Sequence, residues 1–143
     1  MNPPQCTIRP AVAADATDLF PIVVDFAVSF TPEERFFQRA FSEILINEFA
    51  CLRAAECDGR VIGYLLGFTH PTFFANGPAS WIEEVAVRRA WRRRGVGRAL
   101  VNEFERWAAS QGARLVALAT RRAEGFYHAI GYEESAAYFR KLL

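Results

Sequence analysis

The sequence is poor in lysine, methionine and cysteine, and it carries little net charge. Its 143 residues include one methionine and three cysteines, lysine occurs only at Lys141, and the net charge is +1. A nearly neutral chain is not a general electrostatic binder of nucleic acid or of an anionic membrane. The cysteines (Cys6, Cys51 and Cys57) include no Cys-x-x-Cys pair. We therefore predict neither a disulfide framework nor a metal site, with Cys51 and Cys57 as buried strand thiols in a reducing, cytoplasmic setting.

Long apolar runs are also absent. No stretch approaches the ~20 apolar residues of a membrane-spanning helix, and the N-terminal segment lacks the pattern of a secretory signal. We expect a soluble, unexported protein. With 52% hydrophobic residues, the chain is long enough to bury one core, so we expect residues 1–143 to form a single domain.

Hydrophobic periodicity predicts a first strand followed by two helices. The strand covers residues 6–9. The first helix begins near Asp15 or at Asp18. With Asp18 as N-cap, Pro21 falls in the first turn, where its missing N–H costs nothing. The alternative is one longer helix kinked at Pro21.

The second helix has a clear start signal in Thr31-Pro32-Glu33-Glu34. Threonine is the candidate N-cap, proline takes the first helical position, and a glutamate completes a capping box. We expect this helix to run to about Phe49. An Asp-Gly pair then lies between two apolar runs, residues 51–56 and 60–68, and predicts an antiparallel hairpin.

The second half of the chain alternates strands and helices. Residues 70–80 are predicted to form a loop that carries Phe73 and Phe74. After it we predict a buried central strand, an amphipathic helix, a strand buried on both faces, a short helix and a final strand. These cover residues 81–87, 96 to the closing Gln111-Gly112, 114–120, 123–130 and 132–140. A strand, helix and strand in this order imply a parallel strand pair.

Two glycines stand where the central strand passes into its helix. Gly95 and Gly97 leave the backbone bare at a helix N-terminus, where unpaired N–H groups and the positive end of the helix dipole can hold a phosphate or pyrophosphate. Six arginines within eleven residues deepen the positive potential; they are Arg88, Arg89, Arg92, Arg93, Arg94 and Arg98. We therefore predict an anion site here, with a solvated basic face as the alternative.

The spacing Arg92-x-x-Gly95-x-Gly97, after a strand that ends in Val85-Ala86-Val87, resembles the signature of the GCN5-related N-acetyltransferase (GNAT) family. A Rossmann fingerprint would need a third glycine and a later acidic residue, and a Walker loop would need Gly-Lys-Ser/Thr. The order of predicted elements is also similar to that family. The resemblance implies the acyl-CoA N-acyltransferase fold, an α/β (α+β) fold with a mixed, mostly antiparallel sheet, a central splayed parallel strand pair and about four flanking helices.

The resemblance also implies acetyl-CoA as co-substrate. In the family, the central strand holds the pantetheine arm and polarises the thioester carbonyl through a backbone N–H, which Val85 would supply, while the loop wraps the pyrophosphate. A position seven residues before the site tyrosine is often Asn in the family and is Thr120 here. The implied coenzyme contacts are Val85, Ala86, Val87, Arg92, Arg93, Arg94, Gly95, Val96, Gly97, Arg98 and Thr120.

Glu83 and Glu84 are adjacent carboxylates in an otherwise apolar strand. Burying an unpaired charge is costly, so a central strand should not carry them without a reason. In relatives with an acidic base, the matching position lies four residues before the last strand valine, which is Glu83. We expect Glu83 to be the general base and rank Glu84 second. The alternative is a glutamate that pairs with an arginine or binds the substrate cation without titrating.

Tyr127 lies in the segment AEGFYHAIGY, which resembles the family segment A-x-x-F-Y-x-x-x-G-F/Y, whose tyrosine lies by the coenzyme sulfur. A phenol with a pKa of ~10 can protonate a thiolate whose acid has a pKa of ~8.5. The resemblance implies Tyr127 as the general acid, and a core-facing aromatic residue is the alternative.

Together these features predict an acetyl-CoA-dependent N-acetyltransferase that acts on the primary amine of a small molecule by direct attack in a ternary complex. The sequence leaves open acetylation of a protein N-terminus or lysine, a CoA-binding module without turnover, and a homodimer. We predict no metal, nucleic-acid or membrane partner. The acceptor site is expected between the first two helices, the Phe73-Phe74 loop and the last strand. Its aromatic and acidic residues would be Phe26, Phe30, Phe36, Phe37, Tyr138, Phe139, Asp25, Glu33, Glu34, Glu133 and Glu134.

Overall fold

The structure, a computed structural model that describes residues 6–143, contains five strands and four α-helices in that range. The strands are β1 (Cys6–Pro10), β2 (Ala50–Cys57), β3 (Arg60–His70), β4 (Ala79–Val87) and β5 (Leu115–Leu118). The helices are α1 (Ala16–Phe26), α2 (Glu34–Leu45), α3 (Val96–Ser110) and α4 (Glu124–Ala129).

The strands form one mixed sheet in the order β1-β2-β3-β4-β5. All neighbours are antiparallel except β4 and β5, which are parallel. That parallel pairing joins residues 79–82 of β4 to residues 115–118 of β5 and goes no further. The last five residues of β4 therefore part from β5, which confirms the predicted mixed sheet with a splayed parallel pair.

Different helices cover the two faces of the sheet. Leu19 of α1 and Phe41 of α2 are buried on one face. Leu100 and Phe104 of α3 are fully buried on the other face. Gly67 of β3 permits this second contact, because a Cβ at that position would collide with the Phe104 ring.

The predicted hairpin between β2 and β3 is confirmed. Asp58 and Gly59 have φ values of 51° and 78°, so both lie in the left-handed region. A two-residue turn with this backbone matches the right-handed twist of the strands, and Asp-Gly is one of the few pairs that adopts it readily. Local turn chemistry was thus sufficient to locate this hairpin.

The prediction of a chain without disulfides is wrong. Cys6 of β1 lies opposite Cys57 of β2 in the antiparallel register, and their sulfur atoms are bonded. Cys51 is the free thiol among the described residues; it is buried, and burial raises its pKa to about 11. The Cys6–Cys57 bond joins residues 51 positions apart. It depends on a strand pairing that sequence spacing does not reveal.

The starts of the first two helices differ from the main predictions. α1 begins at Ala16, after Asp15, and continues through Pro21, so the alternative of one longer helix from near Asp15 is confirmed and the start at Asp18 is wrong. Asp18 is the third residue of the helix rather than its N-cap, and its carboxylate accepts a hydrogen bond from the Val61 N–H at 3.2 Å. A contact across the fold replaces the local cap.

α2 begins at Glu34, three residues after the predicted cap. Glu33 is extended (φ −112°, ψ 135°), so Thr31 lies outside the first turn and makes no capping bond. The helix ends at Leu45 rather than near Phe49, since Asn47 forms a turn of its own: its side-chain oxygen accepts from the Phe49 N–H at 2.9 Å. Asparagine side chains compete with helical hydrogen bonds in this way.

The C-terminal part of the chain departs furthest from prediction. β5 spans four residues and is partly exposed rather than buried on both faces, because it is an edge strand. The predicted strand over residues 132–140 is not formed. The loop at 71–78 is confirmed, and its Phe73 and Phe74 side chains are exposed. Within residues 6–143, no helix is long and apolar enough to cross a membrane.

The disulfide closes a long loop in the unfolded chain, so Cys6→Ser should lower the free energy of unfolding by about 2–4 kcal/mol. Urea unfolding of both proteins without reductant measures the difference. Reductant should weaken the native protein by a similar amount and leave the variant unchanged. Three free thiols in the unfolded, unreduced native protein would contradict the bond.

Candidate active site

A β-bulge positions the two glutamates of β4. Glu84 lies opposite Leu66 and Ile82 lies opposite Gly67, so Glu83 is an extra residue without a partner on β3. The bulge resets the alternation of side chains: Ile82 packs on the α3 face, and Glu84 lies on the face covered by α1 and α2. Glu83 is exposed, whereas Glu84 is half-buried.

The end of β4 presents free backbone groups toward the gap left by β5. The Arg88 N–H donates to the Ile62 carbonyl of β3 at 2.7 Å. Backbone groups alternate in direction along a strand, so those of Val85 and Val87 point away from β3 and into the gap. The Ala86 side chain, between them, is buried. The gap therefore has a wall of main-chain donors and acceptors.

Unpaired amides also point out of the N-terminal end of α3. The helix begins after Gly95, whose φ of 83° lies in the left-handed region that favours glycine, and the buried Val96 anchors this end in the core. Within residues 6–143, no carbonyl or side chain accepts a hydrogen bond from the N–H groups of residues 93–98. Parallel donors at the positive end of a helix dipole bind anions such as phosphate.

Arg92 shapes the loop before this helix. Its Nε donates to the Val87 carbonyl at 2.9 Å, and its Nη2 pairs with Asp25 of α1 at 3.3 Å. The side chain thus ties the loop to the last residue of β4 and to the end of α1. Both partners are exposed, so the pair contributes little stability. Its effect is to hold the loop in position.

The other arginines among the predicted coenzyme contacts keep their charge toward solvent, whereas the half-buried Arg88 turns to α1, where its Nη2 donates to the Asp18 carbonyl at 3.4 Å. The Arg94 guanidinium lies over the Trp91 ring, 5.2 Å from the ring centroid. Arg93 and Arg98 are exposed, and neither side chain forms an ion pair or hydrogen bond within the described chain. These three cations lie within three residues of Gly95 in the sequence and raise the potential near the start of α3, although the whole protein is nearly neutral.

Gly97 leaves room for a ligand against the helix. A Cβ added there would lie 3.7 Å from the Phe126 ring, an ordinary contact, so internal packing does not require glycine. Glycine costs a helix roughly 0.5–1 kcal/mol relative to alanine. A ligand that approached the backbone closely here would give a physical reason for the missing side chain. The free amides, Gly97 and the free arginines fit the pyrophosphate of acetyl-CoA.

A cavity of 280 Å³ lies on the other side of β4, between α1, α2 and the sheet. Most of its lining is apolar, and its polar side chains are those of Glu33, Tyr64 and Glu84. Of the predicted acceptor residues, only Glu33, Phe36 and Phe37 line this cavity. The remaining lining residues are Leu19, Val23, Pro32, Ala40, Phe41, Ile44, Leu52 and Leu66.

Glu84 and Tyr64 form a hydrogen-bonded pair in this cavity. The Tyr64 hydroxyl donates to Glu84 Oε1 at 2.7 Å. Burial raises the pKa of Glu84, the Tyr64 hydrogen bond lowers it, and repulsion by Glu83 raises it again, with a net upward shift. Burial also raises the pKa of Tyr64, so the phenol keeps its proton and remains the donor. Tyr64 had no local sequence signal, because the bulge and the β3 register bring it to Glu84.

Tyr127 packs in the α3-side core of the sheet. Its ring meets the rings of Phe126 and Tyr132 edge to face, at centroid distances of 4.9 and 5.6 Å. Burial raises its pKa, and its hydroxyl has no hydrogen-bond partner within the described residues. Thr120 lies just after β5, and its hydroxyl accepts from the Ala123 N–H at 3.0 Å, which shapes the turn into α4.

The sequence matches the model of the acetyltransferase (GNAT) family over residues 16–132. This match spans most of the chain, so the protein belongs to the GNAT family. The expected fold and an acetyl-CoA-dependent N-acetyltransferase activity are thereby confirmed. No curated protein matches the sequence.

Solved structures of similar fold cover nearly the whole chain. A transcriptional regulator from Bacillus halodurans has a TM-score of 0.87 and 24% identity, over 97% of this chain and 100% of its own. Glucosamine-6-phosphate N-acetyltransferase from Arabidopsis thaliana has a TM-score of 0.85 and 22% identity, over 96% and 98%. An aminoglycoside N-acetyltransferase in complex with CoA has a TM-score of 0.84 and 20% identity, over 98% and 97%.

Replacing Gly97 with alanine should separate coenzyme binding from stability. The new methyl group occupies the space over the α3 amides, so affinity for CoA should fall at least tenfold, while higher helix propensity raises the unfolding free energy by up to about 1 kcal/mol. Calorimetric titration and thermal unfolding measure the two effects. Asn102→Ala, at an exposed position of the same helix, should stabilise without changing affinity. Unchanged CoA binding in Gly97→Ala would refute the site.

Proposed function

We propose that this enzyme acetylates the primary amine of a small molecule with an apolar body, by direct attack on acetyl-CoA in a ternary complex. The observation that carries the proposal is the apolar 280 Å³ cavity with Glu84 on its sheet side. An aromatic or aliphatic group would fill the cavity, and the ammonium would lie at the carboxylate. A sugar phosphate or aminoglycoside, the substrates in the names of two structural neighbours, would find few polar partners there.

Acetyl-CoA would lie along the gap between β4 and β5. Its pyrophosphate would bind the amides of residues 93–98 together with Arg93 and Arg98. The pantetheine arm would follow the free backbone groups of Val85 and the free N–H of Val87, whose carbonyl is bonded to Arg92. The thioester carbonyl would accept a hydrogen bond from the Val85 N–H, and a donor aimed at a developing oxyanion contributes about 3 kcal/mol to catalysis.

Glu84 is our leading candidate for the group that receives the ammonium proton. The amine attacks only when unprotonated, and proton transfer from an alkylammonium (pKa ~10.4) to an ordinary glutamate (~4.3) is uphill by roughly 8 kcal/mol. The raised pKa of Glu84 reduces this unfavourable free energy of proton transfer, and an apolar cavity reduces it further by lowering the pKa of the bound ammonium. Glu83, exposed at the bulge, remains the alternative base.

Tyr127 would protonate the departing thiolate. The amine nitrogen bonds to the acetyl carbon and loses a proton to water, the carbon–sulfur bond breaks with its electron pair leaving on sulfur, and the Tyr127 phenolate regains a proton from water. Burial raises the pKa of Tyr127, so its proton is present throughout the neutral range. The free hydroxyl is available as a donor.

The pH–rate profile discriminates between the two glutamates. Glu84 must lose its proton to act as base, so activity falls as the pH drops through its raised pKa. Tyr64→Phe removes a hydrogen bond that favours the carboxylate, and such bonds contribute about 1.5–3 kcal/mol. We therefore expect the acidic limb of kcat/KM to move up by about one pH unit or more.

Glu83→Gln supplies the opposite test. It removes the negative charge that raises the pKa of Glu84, so the acidic limb should move to lower pH with activity retained. Loss of the acidic limb in Glu83→Gln, with no shift in Tyr64→Phe, would assign the base role to Glu83.

An acceptor screen tests the substrate class by following free thiol release from acetyl-CoA. Arylalkylamines should be used with at least tenfold higher kcat/KM than polar amines of similar size, because burying one aromatic side group is favourable by about 1.5–3 kcal/mol. Preferred turnover of peptides would favour protein acetylation instead. CoA binding without turnover of any amine would indicate a binding module.

A pair of variants on α2 locates the acceptor. Ala40 lines the cavity and is exposed on its helix, so Ala40→Phe should fill the cavity without unfolding the protein. We expect it to raise KM for the amine at least tenfold and to leave KM for acetyl-CoA unchanged. Gln38→Phe, elsewhere on the same helix, is the matched control. Equal effects of the two variants would place the acceptor outside this cavity.

A further inference from the structure

A second cavity connects the disulfide with the loop that begins α3. It has a volume of about 430 Å³, and its lining includes Cys6 of the disulfide. Arg94 and Gly95, at the entrance to α3, line it as well. The remaining lining residues are Ile8, Trp91, Val96 and Ala99. The disulfide and the loop that we assign to the coenzyme therefore share one cavity.

The disulfide lies on the face of the sheet that α3 covers. Cys57 is 1% exposed and belongs to the same buried core as Val96 of α3. Side chains alternate between the two faces along a strand, so Ile8, two residues after Cys6, lies on this face too. Ile8 and Trp91 both pack against that core. The disulfide, Ile8 and the loop thus belong to one packed region.

The disulfide fixes the first residue of an edge strand. Within residues 6–143, β1 pairs with β2 alone, and Cys6 is its first residue. The other end of β1 is held separately, because Arg9 donates to Glu56 at 3.0 Å and to Asp15 at 2.8 Å. Strand ends open more readily than a core, so reduction would loosen the residues near Cys6 and leave the rest of β1 in place. The part that loosens lines the cavity.

The loop depends on its surroundings for its conformation. Arg93 has a φ of 61°, in the left-handed region where a residue with a side chain is disfavoured. Such a residue keeps its conformation only where neighbouring contacts hold it. Trp91 supports the loop on the side of the cavity, and the Arg94 guanidinium lies over its ring. Loosening β1 would weaken this support, let Arg93 relax and alter the position of the anion-binding amides.

We propose that the Cys6–Cys57 disulfide controls the affinity for acetyl-CoA, so that the oxidised protein binds the coenzyme tightly and the reduced protein binds it weakly. Reduction by a dithiol breaks the sulfur–sulfur bond with two electrons and two protons. Two thiols form, and the dithiol becomes a disulfide. This control requires the α3 amides to bind the coenzyme, as assigned above, but it requires neither the amine acceptor nor the catalytic roles proposed above.

Coenzyme binding and reduction are linked in both directions. A ligand that binds the oxidised protein more tightly stabilises that form, so the coenzyme must oppose reduction by the same factor. For this two-electron couple, a tenfold difference in affinity corresponds to a midpoint potential about 30 mV lower. An enzyme saturated with coenzyme would therefore keep its disulfide at potentials that reduce the free enzyme.

Calorimetric titration of the oxidised and the reduced native protein tests the difference in affinity. Desulfo-CoA is the probe, because without sulfur it can neither exchange with the disulfide nor transfer an acetyl group. We expect reduction with dithiothreitol to raise the dissociation constant about tenfold and to leave the circular dichroism spectrum of a folded protein. A change below about twofold, tighter binding by the reduced protein, or loss of the folded spectrum would overturn the proposal.

Two variants separate the effect of the bond from other effects of the reductant. Cys6→Ser/Cys57→Ala lacks the bond, so it should bind desulfo-CoA as weakly as the reduced native protein and show no response to dithiothreitol. Thr7→Ala is the matched control, since the Thr7 side chain is exposed and alternation places it on the other face of β1. It should keep the native affinity and the native response. A response that persists in the double variant would contradict control by this disulfide.

Redox titration of the native protein measures the linked shift. Dithiothreitol buffers of known potential, with and without saturating desulfo-CoA, are followed by trapping and counting of free thiols. We expect the midpoint potential to be about 30 mV lower with the probe. Equal midpoints would refute the coupling.

Gly97→Ala distinguishes this coupling from the coenzyme site itself. Its added methyl group fills the site, so binding of desulfo-CoA should be weak in both redox states. If Gly97→Ala loses affinity while reduction of the native protein changes nothing, the site stands and the coupling alone is wrong. If neither change affects affinity, the α3 site is wrong and the coupling is wrong with it.

Discussion

The separation of β4 from β5 after residue 82 is the constraint on which the rest of the structure depends. If β4 were paired along its whole length, its backbone N–H and C=O groups would bond to β3 and β5, and none would be available to a ligand. The parting leaves both backbone groups of Val85 and the N–H of Val87 without a partner on one side. The β-bulge at Glu83 lies where the two strands part. Its inserted residue places the Glu84 side chain on the face of the sheet opposite that of Ile82.

Two sites of opposite chemistry meet at this strand. On one side, the open amides of α3 and the free side chains of Arg93 and Arg98 create a positive region in a protein of nearly zero charge. On the other, an apolar cavity holds one partly buried carboxylate. The first suits linked phosphates and the second suits an ammonium with a hydrophobic body. Acetyl transfer requires both within reach of one thioester.

Opposing interactions set the pKa of Glu84, the glutamate in the cavity. Burial and Glu83 favour its protonated form, and the Tyr64 hydroxyl favours its charged form. A carboxyl group with a raised pKa can bind a cation and also accept a proton more readily than an ordinary glutamate. The disulfide, by contrast, lies at the opposite edge of the sheet and holds β1 to β2.

Local sequence signals were sufficient where structure is decided by neighbours in the chain. The Asp58-Gly59 turn, the α3 entrance at Gly95 and the apolar period of α3 are determined by backbone conformation and spacing, and the family signature lies in the same region. Tertiary structure decided what depends on distant partners. Asp18 bonds to the Val61 N–H instead of capping a helix. Strand register places Cys6 beside Cys57, and the bulge determines which glutamate faces the cavity. Residues 133–143 form no strand, although their apolar pattern predicted one, because a strand depends on pairing with a neighbour and the local sequence does not determine that pairing.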